Sequence, residues 1–386
     1  MNSGFTEEQR AFADSVRRFA EANLAPDAVA RAHNPRFPFD VAQILAKQGL
    51  LGIAFDEKDG GQGGTLMDSV IAIEQIAAAC PRSADVVQAG NFGPIRTFVE
   101  YASPFQKEKY LPDLLAGRSV ISLGMSEPDA GSAVTELKTN ARADGDHYII
   151  NGTKVFGTHS PDANLFLVYV RFGSGVGGIG SVLIERGTPG FTIGKPSPFM
   201  SGEEWCQLYF EDCRIPAENV LLGAGGFKKQ ISGFNVERLG NSSRSLALGR
   251  YAFELARKHA SERKQFGRLL CEFQGLQWKF ADMALKLESS QLLLYRAASV
   301  AGGLPTAYDT AIAKLACNQA GFDVANDAVQ IMGGMGYSQE GLAEYCMRRT
   351  RGWMIAGGST EILKNRIAEE IFGRRFDQRG TQARAQ

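Results

Sequence analysis

The chain has 386 residues, in which 42 lysines and arginines balance 42 aspartates and glutamates, so its formal net charge at pH 7 is zero. A balanced chain has no overall field that would attract nucleic acid or an anionic membrane surface. No stretch approaches the ~20 apolar residues of a membrane span and the N-terminus has no apolar signal region, so we expect an unexported protein with no membrane or nucleic-acid partner. The length exceeds one hydrophobic core, and two or three domains are expected.

The cysteines and histidines indicate a compartment and exclude one class of site. Six cysteines lie far apart without a CxxC pair, which favours reduced thiols and a cytoplasmic location. The four histidines are not at ligand spacing, so no metal site is predicted. Any redox chemistry therefore needs an organic cofactor.

Helical patterns come first along the chain. Thr6 and Gln9 form a capping-box pattern ahead of apolar residues at helical spacing. Further helical patterns follow at 39–51, 66–79 and 105–115. Residues 1–118 are predicted to form an N-terminal α-helical domain.

Strand-like patterns replace the helical ones after residue 118. Asn151-Gly152 stands between two short apolar runs and predicts a type I′ hairpin turn. More short runs separated by Gly and Pro follow at 165–170, 181–185 and 205–210. We predict a central antiparallel β domain over residues 119–227.

Helices return after Gly233 and become longer. Apolar residues from Leu276 to Leu294 mark one face of a helix of roughly 26 residues that Gly302-Gly303 would end. Helices of this length are typical of an antiparallel bundle. Residues 228–386 are therefore predicted to form a C-terminal four-helix bundle with a frayed tail after Arg374, which makes the fold α+β and mostly α.

Four motif regions carry polar or glycine-rich residues, and each alone has a structural explanation as a turn, a strand end or a helix cap. They are MSEPDAGS (125–132), KVFGTHS (154–160), ERKQFG with EFQGLQ (262–267 and 272–277) and VQIMGGMGY (329–337). In this order and spacing they resemble the acyl-CoA dehydrogenase family over residues 5–373. The resemblance implies the fold of that family, FAD as cofactor and an acyl-CoA thioester as substrate.

The resemblance also implies a set of cofactor contacts. FAD would lie between the β domain and the bundle of a homotetramer, with its adenosine half held mainly by a neighbouring subunit. Positions matching contacts to the flavin and phosphates are Ser126, Gly131, Ser132, Phe156 and Thr158. Positions matching contacts to the adenosine half are Arg263, Phe266, Gln274, Gln330 and Gly334, with further dinucleotide contacts at Ser359 and Glu361.

The catalytic base departs from the common family pattern. Many members carry Tyr-Glu-Gly-Thr with its Glu as the base, and this chain has Gly357 there. Removal of an α-proton beside a thioester needs a proton acceptor and donors to the carbonyl oxygen, and the backbone N–H of Gly357 still supplies a donor. Isovaleryl-CoA and long-chain members place the base on the first long helix of the bundle, where this chain has Glu237. The resemblance thus implies Glu237 as the base, with Asn235 and Arg238 near the substrate.

Several alternatives remain beside this interpretation. Asp85 is a second candidate base, because relatives acting on cyclic acyl-CoAs can use an aspartate from this region, although such residues are usually helix caps. Arg82 could recognise an acidic acyl group, and Arg348-Arg349 stands where the family often has Arg-Asp, which puts a local ion pair in doubt. The missing side chain at Gly357 could admit a branched, cyclic or bulky acyl group.

The expected activity is α,β-dehydrogenation of an acyl-CoA to the 2-enoyl-CoA, with electrons passed to an electron-transfer flavoprotein. One alternative is a lyase that expels a β-leaving group such as sulfinate without net oxidation. Another is a non-catalytic protein that binds FAD and an acyl-CoA or acyl-carrier thioester.

Overall fold

The computed structural model describes residues 4–300 and 304–376. Helices dominate both ends of this part of the chain. The α-helices are α1 (Glu7–Asn23), α2 (Ala28–Ala32), α3 (Phe39–Lys47), α4 (Leu66–Ala79), α5 (Ala84–Asn91), α6 (Pro94–Tyr101), α7 (Pro104–Leu115), α8 (Phe227–Glu262), α9 (Gln274–Ala298), α10 (Ala307–Met332), α11 (Gly334–Tyr337), α12 (Ala343–Trp353) and α13 (Thr360–Phe372).

Strands occupy the middle of the chain and one short hairpin in the bundle. They are β1 (Ile121–Gly124), β2 (Asn140–Asp144), β3 (His147–Lys154), β4 (Leu165–Arg171), β5 (Ile179–Glu185), β6 (Phe191–Ile193), β7 (Ser197–Pro198), β8 (Glu204–Trp205), β9 (Leu208–Pro216), β10 (Val220–Leu222), β11 (Lys264–Gln265) and β12 (Arg268–Leu269). The predicted order of helical domain, sheet domain and helical domain is confirmed.

Local capping signals start the N-terminal helices. The predicted capping box of Thr6 and Gln9 is present at α1, and Thr65 begins α4 in the same way. Capping satisfies backbone N–H groups that have no partner inside the helix. α4 is buried on most sides and packs against both α1 and α8, so it joins the N-terminal domain to the bundle.

The central domain is an eight-stranded sheet in the order β10-β5-β4-β2-β3-β9-β6, with β1 beside β4. Most pairs are antiparallel as predicted, but β4 runs parallel to both β1 and β2. The predicted hairpin turn at Asn151-Gly152 is wrong, because both residues lie inside β3 and the β2–β3 turn falls at Gly145. Gly152 instead marks a shift of register against β9, where a Cβ would come 2.4 Å from Thr139 Oγ1.

The C-terminal bundle is built on three long helices, of which α8 has 36 residues. α10 packs against α8, α9, α12 and α13. α8 and α10 approach closely at two glycines, since a Cβ on Gly249 would lie 2.8 Å from Gly321 Cα. The helix predicted from Leu276 is α9, which ends at Ala298; the proposed stop at Gly302-Gly303 lies outside the described residues, as do residues 377–386 of the tail.

The domain boundaries at 118/119 and 227/228 stay predictions. The first boundary falls in the connection after α7, and the second falls directly after the first residue of α8. No helix in the described part of the chain is long and apolar enough to cross a membrane.

Candidate active site

Glu237 lies in the first third of α8, between the buried residues Val236 and Leu239, and its side chain points toward α5. Its Oε1 accepts hydrogen bonds from Gln88 Nε2 at 2.7 Å and from Asn241 Nδ2 at 2.8 Å. Its Oε2 is shielded from solvent and has no hydrogen-bond partner. One oxygen is therefore fixed by the protein, and the other keeps its lone pairs free.

The surroundings of Glu237 make its carboxyl a proton acceptor near neutral pH. Burial raises its pKa to about 7, while Arg244, Asn241, Gln88 and Lys314 each favour the charged form and limit the rise. A carboxylate with a pKa close to the working pH has the properties of a general base.

Two glycines border this carboxylate. Gly93, with φ +73°, faces the free oxygen, and a Cβ there would lie 3.1 Å from Oε2. Gly357, with φ +69°, lies next to the amide that bonds to this carboxylate, since a Cβ there would lie 3.1 Å from Asn241 Nδ2. Because Asn241 also bonds to Glu237, side chains at 237 and 357 would converge on the same space.

Asp85 is not a helix cap, which corrects the structural role expected for it. It is the second residue of α5 and is 1 % exposed. Its carboxylate accepts hydrogen bonds from Arg82 at 2.6 Å, Arg244 at 2.6 Å and Arg349 at 2.8 Å. Burial raises the pKa of Asp85, but the three guanidinium groups outweigh it and hold that pKa well below its usual range.

The same arginines complete a buried charge cluster that joins the three domains. Glu203 of the β domain accepts hydrogen bonds from Arg82 and Arg349. Arg82 also donates to the backbone oxygen of Arg36 at 3.0 Å, so protein acceptors occupy the guanidinium proposed for an acidic acyl group. The Arg at position 349 thus forms an ion pair after all, with partners on other elements.

A second surface presents the residues expected to meet the flavin. Phe156 is 57 % exposed with φ +59°, and its ring centroid lies 4.5 Å from that of Trp205. Thr158, two residues after Phe156, is exposed, as is Ser132 in the MSEPDAGS loop, and a Cβ on Gly131 would meet nothing within 4 Å. An exposed aromatic ring on a strained backbone, with open polar loops beside it, fits the flat ring and phosphates of FAD.

Buried charges hold the MSEPDAGS loop in place. Glu127 accepts hydrogen bonds from Lys154 Nζ at 2.8 Å, Thr139 N at 2.9 Å and Lys138 N at 2.6 Å. The backbone of Ser126 accepts from Val155 N, directly before Phe156. The two predicted flavin-binding segments are therefore parts of one supported unit.

The residues expected to hold the adenosine half lie at the other end of the bundle. Arg263 follows α8, about 39 Å along the helix from Glu237. Gln274 begins α9 and Gln330 lies near the end of α10, and the pair Lys279–Asp327 at 2.6 Å shows that these ends adjoin. Phe266 is 94 % exposed in the β11–β12 turn.

The remaining predicted contacts lie at the starts of α13 and α11 and on α8. The Ser359 hydroxyl caps α13 by accepting from Ile362 N, while Glu361 is exposed in the first turn and Gly334 begins α11. Asn235 accepts a hydrogen bond from Arg238 at 3.1 Å, so these two side chains share one face of α8.

Sequence reasoning missed most of the partners of Glu237. Asn241 could have been found, because residues four apart on a helix are neighbours. Gln88 is 149 residues away from Glu237, and no local pattern points to it. Lys314, buried beside Gly357, was missed as well.

Family models match all three parts of the chain. The acyl-CoA dehydrogenase N-terminal domain matches residues 6–118, the middle domain residues 122–213 and the C-terminal domain residues 224–372. The solved structure of butyryl-CoA dehydrogenase from Megasphaera elsdenii superimposes with a TM-score of 0.89 at 31 % identity, covering 96 % of this chain and all of the other.

Curated relatives of full length are also similar. The short-chain specific acyl-CoA dehydrogenase of Clostridium acetobutylicum is 35 % identical over 96 % of this chain and 100 % of its own length. The mitochondrial isovaleryl-CoA dehydrogenase of Oryza sativa subsp. japonica is 35 % identical, covering 95 % and 92 %. The 3-sulfinopropanoyl-CoA desulfinase of Paraburkholderia xenovorans is 32 % identical, covering 97 % and 98 %. With the architecture described above, these matches show that the chain belongs to the acyl-CoA dehydrogenase family of FAD-dependent oxidoreductases.

Proposed function

We propose that the protein catalyses α,β-dehydrogenation of an acyl-CoA thioester, with Glu237 as the base that removes the α-proton. The observation that carries this proposal is the free Oε2 of Glu237, shielded from solvent and bordered by Gly93. A pKa of about 7 lets the same group be ionised before the reaction and accept a proton during it.

The reaction divides the work between two groups. The proton on Cα goes to the Glu237 carboxylate, the hydrogen on Cβ leaves with its electron pair, and a carbon–carbon double bond forms. FAD, when bound, supplies the acceptor for that hydride. The backbone N–H of Gly357 stabilises the charge that develops on the thioester oxygen, and Asn235 and Arg238 position the substrate.

We favour Glu237 over Asp85 because their hydrogen bonds differ. Each oxygen of Asp85 is bound to at least one arginine, and its lowered pKa makes it a weak base. The charge cluster also occupies Arg82, so we assign a structural role to both residues.

The test replaces Glu237 by glutamine. Glu237→Gln should keep bound FAD and acyl-CoA affinity but slow anaerobic flavin bleaching by roughly 10²–10⁴-fold, the usual contribution of a general base. Glu254→Gln is the matched control, because Glu254 is exposed on the same helix and bonds only to Arg257 in the described structure. Full activity of the Glu237 variant would remove that residue from the mechanism.

The acyl group follows from the glycine at 357. Position 357 carries no side chain, whereas many family members have a glutamate there, and we propose a branched, cyclic or bulky acyl chain. A panel of thioesters scored by flavin bleaching tests this, and exclusive use of short straight chains would contradict it.

We further propose a homotetramer in which each FAD is shared between subunits. Support comes from α9, where Trp278, Leu285 and Leu292 are 63–70 % exposed at seven-residue spacing on one face. Leu285→Glu with Leu292→Glu should give smaller species in analytical ultracentrifugation with less bound FAD, whereas Lys47→Glu on α3 should not. A tetramer with full FAD in the double variant would contradict the shared site.

The partners and compartment remain proposals. We propose that an electron-transfer flavoprotein reoxidises the enzyme and that the protein works in the cytoplasm, where its six free cysteines stay reduced. Reduction of such a flavoprotein by the enzyme and its acyl-CoA is the direct measurement.

A second candidate is a lyase, favoured by Gly357 together with the similarity to the desulfinase. In that case 3-sulfinopropanoyl-CoA would release sulfite anaerobically without reducing an acceptor, and Glu237→Gln would leave the rate unchanged. Acceptor reduction that depends on Glu237 favours the dehydrogenase instead.

A further inference from the structure

Lys314 of α10 is a buried cation that the assigned roles leave unexplained. Its side chain is 0 % exposed, and the salt bridges of the described residues include none for it. Its Nζ donates to the backbone oxygens of Trp353 and Gly358, both at 3.0 Å. An ammonium group buried without a carboxylate partner is costly, and an apolar side chain of similar length would avoid that cost.

The two carbonyl groups that Lys314 binds border one segment. Trp353 and Gly358 enclose Gly357, whose backbone N–H is proposed to face the thioester oxygen. Asn318 strengthens the first anchor by donating to the Trp353 oxygen at 2.7 Å. The position of Gly357 therefore depends on a side chain inside α10.

Lys314 also lies close to the carboxylate of Glu237. A Cβ on Gly357 would be 3.5 Å from Lys314 Cε and 3.1 Å from Asn241 Nδ2. Asn241 in turn donates to Glu237 Oε1 at 2.8 Å. A row of neighbouring groups therefore connects Lys314 to Glu237 through the backbone at Gly357 and the Asn241 side chain.

Few charged groups face Glu237 and Lys314. Around Glu237 the cations are Arg244 and Lys314, while α5 contributes the neutral Gln88. Arg244 also bonds to Asp85 at 2.6 Å, so its charge acts on both acids, whereas Lys314 donates to two backbone oxygens. Lys314 faces Arg238 and Glu237, both of α8, and meets carbonyl oxygens from the segment between α12 and α13.

We propose that Lys314 is a positioning residue for α-proton removal, which holds the Gly357 segment through two carbonyl groups and stabilises the ionised form of Glu237. The inference rests on the proposed role of Glu237 as the base. Burial and Arg238 lower the pKa of Lys314 to about 7, and Glu237 opposes that shift, so the two groups interact as a buried cation and anion.

Lys314→Met in the FAD-containing enzyme tests the electrostatic part. The rate of anaerobic flavin bleaching rises with pH as Glu237 ionises, and losing the nearby cation should move the midpoint of that rise upward by about one pH unit. The rate at pH 7 should fall by about fivefold and recover most of its wild-type value at pH 9. A purely structural role predicts the same loss at every pH.

Two variants keep the test decisive. Lys314→Arg keeps a positive charge at every pH of the test, so its midpoint should not rise above that of the wild type even where altered packing slows the rate. Lys286→Met removes an exposed lysine of α9 and should change neither the midpoint nor the rate. If Lys314→Met does not fold, Lys314→Gln is measured in the same way, since it keeps donors but loses the charge.

A readout without substrate adds an independent check. Since the folded pKa of Lys314 is below its unfolded value, the free energy of unfolding should rise with pH between about 7 and about 10, and this rise should vanish in Lys314→Met. If the midpoint of Lys314→Met is unshifted while Glu237→Gln is slow, the inference about Lys314 is overturned and the proposed function stands. A fully active Glu237→Gln enzyme would instead remove the proposed function.

Discussion

Asp85 and Glu237 are two acids enclosed at the same junction of α5 and α8, and their partners differ in kind. Asp85 meets three arginines that bind both of its oxygens. Glu237 meets two neutral amides that bind one oxygen only. The pKa of Asp85 is accordingly lowered and that of Glu237 is raised to about 7.

The contrast shows how one protein core assigns different tasks to the same functional group. Paired guanidinium groups stabilise a carboxylate so strongly that it serves as a structural anion. Amide donors compensate burial only in part, and the carboxylate keeps its affinity for a proton. Arg244 links the two sites, because it bonds to Asp85 and its charge also acts on Glu237.

The largest effect is expected from removing the anion of the cluster. Asp85→Asn would leave three buried arginines with Glu203 as their remaining anion, and breaking such a network costs roughly 3–5 kcal/mol. Urea unfolding should show this loss. Asp113→Asn breaks an exposed pair with Arg118 and should cost less than ~1 kcal/mol, and equal losses in the two variants would refute the structural role of Asp85.

Removing the carboxylate of Glu237, unlike that of Asp85, should stabilise the protein above about pH 5. Its folded pKa is raised, so the unfolded chain releases the proton first and stability falls as pH rises from about 4.5 to about 7. Glu237→Gln abolishes this fall, and its free energy of unfolding relative to wild type should increase by about 2 kcal/mol between pH 5 and pH 8. Glu254→Gln should show no such trend, and a decrease for the Glu237 variant would contradict the raised pKa.

Local signals allowed much of the fold to be predicted from the sequence. The capping box at Thr6 and the long helix α9 depend on residues close in the chain, and they were found where expected. The Asn151-Gly152 turn was wrong because pairing with β9 and the tight approach to Thr139 override the local turn preference.

The site was predictable only in part, for the same reason. Glu237 and Gly357 were identified from motif resemblance, but the groups that tune them come from distant segments. Gln88 is 149 residues from Glu237, and Asp85 is 264 residues from Arg349. Charge balance and helical spacing carry no information about contacts of this range.

The smallest effect concerns the glycine facing the free oxygen. Gly93→Ala adds a Cβ 3.1 Å from Glu237 Oε2 at a residue with φ +73°, so both the backbone and the carboxylate are affected. Gly93 has ψ −144°, outside the left-handed helical region, so the backbone strain should cost roughly 1–3 kcal/mol of stability, and crowding of Oε2 should slow flavin bleaching a few-fold. Gly145→Ala separates the two effects, because Gly145 has φ +63° but open space around its Cβ. Gly145→Ala should keep the full rate; a wild-type rate in Gly93→Ala would mean that the proton is not taken on the Gly93 side of Glu237.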